Sequence, residues 1–211
     1  MSTQSKNLLA AVISNAENEL KLLGFRKTKG VYVRPLGDDV FGWLGLNTAT
    51  QRSDGRVGIN PVVGVRYERI EKMVEELMAE KETRFSPTIR TALGYLMPGG
   101  RYLEWLFEPA PFDYGSESKR MVQAVEVYGI PFMTENSKLE SIVRDLEQLR
   151  FISKDMAMYR LPVAHLLAGK TDSAVAYVDG QVKELGDRND LAARQYKTFA
   201  SNLLQDVSLK K

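Results

Sequence analysis

The 211-residue chain has no cysteine and a single histidine, His165. Without cysteine there are no disulfides, no thiol nucleophile and no thiolate metal site, which fits a reducing cytoplasm. One histidine cannot build a multi-histidine metal cluster, and it would make any Ser-His-Asp triad depend on that one position. Long apolar runs are also missing: nothing approaches the roughly 18 consecutive apolar residues that a membrane helix needs. "NLLAAVIS" (7–14) has the apolar character of a secretory signal but is short. Its spacing continues into "NAENELKLLGF", which favours an amphipathic helix of the mature chain. Nor is there an excess of charge: 29 Lys and Arg against 27 Asp and Glu leave +2. That is too little to draw nucleic acid or acidic lipid by itself.

What is present is the composition of an ordinary globular protein, 44% hydrophobic and 27% charged, long enough to bury a sizeable core. Leu8, Leu9, Val12, Ala16, Leu20 and Leu23 recur at helical steps, and Gly24 then closes the helix, with Phe25 placed to fold back on its end. The period next changes to two. "VYVRPL" (31–36), "VFGWLGLNTAT" (40–50) and "RVGINPVVGVRY" (56–67) read as strands joined by "GDD" and "QRSDGR", hence neighbouring antiparallel strands. Pro61 predicts an edge strand or a bulge.

From Glu68 the helical period returns. Ile70, Met73, Val74, Leu77 and Met78 form the apolar stripe, and Glu71, Glu75, Glu76 and Glu80 read mostly as a solvated face. "TIRTALGYLM" (88–97) and "RYLEWLFE" (101–108), joined by Pro98-Gly99-Gly100, predict a further hairpin, and "PAPFDYG" a loop. Helices are expected over roughly 116–128, 137–150, 154–168, 172–185 and 189–206. "YGIPFMTEN" interrupts them through Gly129 and Pro131, and Ser137-Lys138-Leu139-Glu140 has capping-box spacing.

Gly169-Lys170-Thr171 invites comparison with a phosphate-binding loop. Such a loop needs a glycine five positions before Gly169 and a preceding strand. Position 164 is alanine and the preceding segment is helical, so the tripeptide predicts a turn between two helices. Their apolar faces, Ala174, Val178, Val182 and Leu185 against Ala193, Tyr196, Phe199 and Leu203, should meet.

Four glycines, Gly42, Gly45, Gly58 and Gly64, interrupt the strands, where glycine costs stability and marks a bulge or a close approach. Either helices pack on the sheet there, or a partner approaches it. On the second reading the candidate partner-binding residues are Trp43 as anchor, Phe41 beside it, and Arg34 and Arg66 to pair with acidic groups. Arg34, Arg66, Arg90 and Arg101 with Tyr32, Tyr95 and Trp105 also make the mixture used by nucleic-acid-binding sheets. Paired carboxylates at Asp38-Asp39 or Glu104 and Glu108 are better explained as turn and surface residues than as catalysts, and His165 as a packed helical residue. No catalytic residue, metal ligand or cofactor is assigned.

"LLGFRKTKGVYVRP", a glycine-containing second strand and "VEVYGIPFMTENSKLESIV" together resemble a group of small bacterial domains of unknown function, some of them near toxin–immunity or phage-defence loci. The resemblance spans roughly residues 8–150 and leaves out the last 60. It implies an α+β domain with a protein-binding role and carries no catalytic motif.

The sequence thus predicts an α+β protein: an antiparallel β-meander of about five strands with helices packed mainly on one face over 1–150, followed by a C-terminal helical segment, 151–211. The function expected first is a non-enzymatic cytoplasmic protein-interaction module, such as an immunity or defence accessory factor. A sheet-based nucleic-acid or small-ligand binder is the alternative, and an enzyme with an unrecognised site comes third. The expected partner is another protein, with nucleic acid less favoured and no membrane.

Overall fold

The structure, a computed structural model, describes residues 3–49, 55–79, 85–109 and 113–209. The fold is α+β. Its six-stranded antiparallel sheet comprises β1 (Arg26–Thr28), β2 (Val31–Pro35), β3 (Val40–Ala49), β4 (Val57–Tyr67), β5 (Ile89–Ala92) and β6 (Trp105–Phe107). The strands follow the order β1-β2-β3-β4-β5, and β6 also pairs with β4. Eight α-helices are described: α1 (Thr3–Leu22), α2 (Glu68–Met78), α3 (Tyr114–Ala124), α4 (Ile130–Glu135), α5 (Leu139–Glu147), α6 (Lys154–Leu167), α7 (Thr171–Leu185) and α8 (Leu191–Leu209). They fall into two compact units, residues 1–65 with 90–137 and residues 66–89 with 138–211. Sequence order draws one line near residue 150. In space α2 and α5 group with α6, because their apolar stripes are buried in the helical unit.

In the first unit α1 buries Leu8, Val12, Ala16 and Leu20. Gly24 ends it at φ +81°, with Phe25 N–H donating to the Leu20 carbonyl and Gly24 N–H to that of Lys21. This is the Schellman pattern, and Phe25 is buried as expected. The basic stretch after it forms β1, a strand too short to show periodicity. Lys29 and Gly30, both at positive φ, make the two-residue turn into β2.

In the β2–β3 register Tyr32 faces Leu44 and Arg34 faces Gly42. On that face Tyr32 donates to Glu17 of α1 at 2.8 Å, and a side-chain carbon on Gly42 would stand 2.7 Å from Met133 Sδ of α4. Helices therefore cover this face, and Gly42 is small because α4 packs on it. A Cβ on Gly129 would likewise crowd Val63 of β4 at 3.0 Å.

Three expectations about this unit change. Segments 88–97 and 101–108 do not pair with each other: residues 93–95 turn into a 3-10 helix, and β6 pairs with Val57–Ile59 of β4 instead. Pro61 lies in the interior strand β4, just past the last residue paired with β6, where that side of the strand changes partner. The helix after Asp113 is not broken before Pro131. It runs on through a π turn, Val125–Gly129, in which Ile130 N–H bonds to the Val125 carbonyl five residues back. The wider turn accommodates a proline that lacks an N–H for a regular ladder. The connection 51–54 and residues 110–112 lie outside the described residues.

In the second unit α6 and α7 pack together, as do α7 and α8. Tyr159, Tyr196 and Phe199 form an aromatic core with ring centroids 5.1–5.7 Å apart. Ala174 and Val178 are buried there and Val182 and Leu185 half-buried. Gly169, at φ +73°, closes α6 with the same Schellman bonds, Gly169 N–H to Leu166 and Lys170 N–H to His165. Gly169-Lys170-Thr171 is a helical turn. Helix α5 starts one residue beyond the position the capping-box spacing gave, with Lys138 rather than Ser137 as its N-cap, and the box does not form: Ser137 Oγ donates back to the Thr134 carbonyl instead.

Candidate functional site

Trp43 is 6% exposed. A Cβ on Gly45 would stand 2.6 Å from its indole, so the ring lies along β3 over its own i+2 neighbour. The expectation of Trp43 as a docking anchor is corrected: it is a core side chain, and Gly45 is small to make room for it. Arg34 and Phe41 are half-buried at adjoining positions of the β2–β3 ribbon, Arg34 opposite Gly42 and Phe41 opposite Pro35. Arg34 also packs on Gly24, its Nε 3.7 Å from where a Cβ would stand.

Arg66 is corrected too. It belongs to the helical unit and is 2% exposed. Its guanidinium bonds to Glu68 at 2.7 Å and to the Ser86 carbonyl at 2.8 Å, and stacks 4.2 Å from the Phe85 ring centroid. These internal partners occupy the charge that a partner's acid would have taken.

The same unit corrects the reading of Glu71. It is buried, and Arg160 of α6 grips it with two bonds of 2.8 and 2.7 Å. Thr88 Oγ donates to Glu71 at 2.7 Å and accepts from Tyr67 N–H at 2.9 Å. The α2 stripe cannot reveal this, because the cation that permits burial of Glu71 comes from 89 residues away. The network is fully partnered and structural.

His165 is buried. Its Nε2 lies 3.6 Å from Glu147 of α5, and burial pushes its pKa below the ordinary value, partly opposed by that carboxylate. Near the sheet, Glu17 is held below the usual carboxylate range chiefly by its hydrogen bond to Lys27, and burial drives the Tyr32 hydroxyl upward. Among the described residues no group of three or more His, Asp or Glu could hold a metal ion, and no helix is long and apolar enough to cross a membrane.

The exposed large side chains of the sheet unit concentrate on another segment. Between β5 and β6 the chain makes a loop whose stem is closed at Gly94. A Cβ there would collide with the Arg101 carbonyl and stand 2.7 Å from Leu103 Cβ. Gly99 and Gly100, both at positive φ, turn the tip, and Gly100 N–H bonds to the Met97 carbonyl at 3.0 Å. Tyr95 and Tyr102, on the two sides of this loop, are 54% and 59% exposed. Arg101 is exposed beside Tyr102, and Leu96, Met97 and Leu103 show part of their apolar surface.

The loop returns over β4. Asn60 Nδ2 donates to the Leu103 carbonyl at 2.6 Å, and the Glu104 carboxylate covers Gly58. Gly58 is thus another strand glycine that accommodates the chain's own side chain. Of the basic and aromatic residues considered for nucleic acid, Tyr95, Arg90 and Arg101 are exposed, whereas Tyr32 and Trp105 are core. Tyr102 and Leu106, which sequence reading passed over, are exposed with them. Their sequence signal is a Pro-Gly-Gly turn flanked by tyrosines, a pattern that an ordinary hairpin shares.

Comparison with protein families, with curated proteins and with solved structures finds no match to this chain.

Proposed function

We propose that the chain is a non-enzymatic protein-interaction module that docks through the 94–106 loop. The observation that carries this reading is the pair Tyr95 and Tyr102, more than half exposed on a loop whose stem Gly94 closes. Tyrosine gives a large, amphipathic contact with few torsions to freeze, and with arginine it is enriched where interfaces gain their energy. A loop already held in shape gives up less entropy when it binds. A role as an immunity or defence accessory factor rests on the resemblance of residues 8–150 alone. The second reading, a single-stranded nucleic acid stacked on the two rings, is favoured by Arg101 beside Tyr102.

Capture from a native-host lysate, with bound protein and nucleic acid both identified, tests the proposal. Tyr95→Ala and Tyr102→Ala should each keep the fold and weaken binding of a specific protein about tenfold or more, about 1.4 kcal/mol. A nuclease-sensitive RNA or DNA lost in the same variants would select the second reading. Capture unchanged by either substitution would sink both.

A further inference from the structure

Strand β1 is an outer edge of the sheet: among the described residues it pairs with β2 alone. In a two-residue hairpin the pair next to the turn, here Thr28 and Val31, exchanges hydrogen bonds, and bonded and non-bonded pairs then alternate. Lys27 and Tyr32 form the next, non-bonded pair, so the N–H and C=O of Lys27 point away from β2 towards the open side. The chain around this edge carries one sign of charge. From Lys21 to Arg34 it holds Lys21, Arg26, Lys27, Lys29 and Arg34 and no acid, although the whole chain is only +2. One of these cations is taken: Lys27 holds Glu17 of α1 at 2.7 Å, and Tyr32 bonds to the same oxygen. Lys21, on the last turn of α1, adds to the positive field on Glu17, and Arg34 packs on Gly24 at the foot of β1. Arg26 and Lys29 are exposed and meet no carboxylate among the described residues. The other acids nearest in sequence are Glu19, half-buried on α1, and Asp38 and Asp39, at the end of β2 away from Lys29.

We propose that β1 receives an extended acidic segment of a partner protein as an added strand, its backbone bonding to Lys27 and its carboxylates meeting Arg26 and Lys29. An open edge offers main-chain bonds to any strand, and charge then decides which strand is accepted. Cations along this edge repel a second copy of the same edge, which rules out self-pairing, and they attract carboxylates, which a guanidinium can hold at two points. Side chains alternate across a strand, so Arg26 stands on the face opposite to Lys27. An incoming strand with an acid at every second position therefore puts its carboxylates on the Arg26 face. A nucleic-acid strand would meet the same cations, but it has no row of peptide groups to match the Lys27 N–H and C=O. The tyrosine loop joins β5 and β6 at the opposite edge of the sheet, so variants of one surface leave the other unaltered.

Fluorescence anisotropy with a labelled peptide, Glu-Thr-Glu-Val-Glu-Thr-Glu, and amide exchange of the full chain by nuclear magnetic resonance test this. The peptide should bind, more weakly as salt rises, and should slow exchange of the Lys27 amide. Methylating alternate backbone nitrogens of the peptide keeps every carboxylate but removes the donors along one side. One of the two such forms should bind about tenfold more weakly and leave the Lys27 amide unprotected. Arg26→Glu and Lys29→Glu, with unchanged circular dichroism, should each weaken binding about tenfold. Lys119→Glu, the same change of charge at an exposed site on α3, and Tyr102→Ala in the loop should bind the peptide as the unaltered chain does. No binding at millimolar peptide, or binding of both methylated forms as tight as that of the parent, would overturn the proposal. So would an oligothymidylate that displaces the peptide and binds more tightly, which would make the edge a phosphate surface.

Discussion

Residue by residue, the side chains whose environment departs furthest from expectation are charged groups in the helical unit. Glu71 and Arg160 are both almost fully buried, and removing one partner strands the other. Arg160→Met should therefore cost about 3–5 kcal/mol in urea unfolding. Glu71→Leu combined with Arg160→Met should cost clearly less than the sum of the single changes, because no unpaired charge remains. Additive losses would mean that the pair is not coupled. His165 gives a prediction in pH. Its folded-state pKa lies below the unfolded value of 6.5, so the unfolded chain takes the proton first as pH falls. The contribution is complete above about pH 6.5 and is lost as pH drops through the folded pKa. Thermal unfolding from about pH 7 to about pH 5 should show a loss of stability that His165→Gln largely removes, because the contribution of a depressed carboxylate such as Glu17 is lost only below its unfolded value of 4.5. An identical pH profile in the variant would contradict this.

For the elements, end chemistry decided more than propensity. Gly24 and Gly169 close α1 and α6 at positive φ, and both positions could be read from the end of an apolar stripe. Gly169→Ala should destabilise measurably through backbone strain, whereas Lys170→Ala should leave both stability and nucleotide binding unchanged, the latter at nil by calorimetry. ATP binding lost in Lys170→Ala would refute the turn. Phe199, fully buried against Tyr159 and Tyr196, ties α8 to α6. Phe199→Ala should cost about 3–5 kcal/mol, and a melting temperature equal to that of the unaltered chain would contradict this packing. The π turn at Val125–Gly129 was illegible, because a glycine and a proline two residues apart have the same sequence signature whether a helix stops or widens.

At the scale of the molecule, each unit buries its own core. The tyrosine loop belongs to the sheet unit, and its shape depends on Gly94. Gly94→Ala should force the Arg101–Leu103 strand of the loop outward, speeding amide hydrogen exchange over 94–104 and weakening partner capture as much as loss of a tyrosine does. Unchanged exchange would show that the stem is not closed by this contact.

By itself the sequence determined the α+β class, five of the six strands, every long helix and the helical turn at 169, since these follow from period, caps and turn residues that act within a few positions of one another. It also identified Gly42, Gly45 and Gly58 as places of close approach. What approaches them was decided only in three dimensions: Met133 reaches Gly42 and Glu104 reaches Gly58 across the fold, and the Trp43 indole, two residues back along the same strand, covers Gly45 by the direction its side chain takes. The same holds for the burial of Trp43, Arg66 and Glu71 and for the pairing of β6 with β4. Burial and strand pairing depend on which distant residues are brought alongside, and periodicity along one segment carries no information about them.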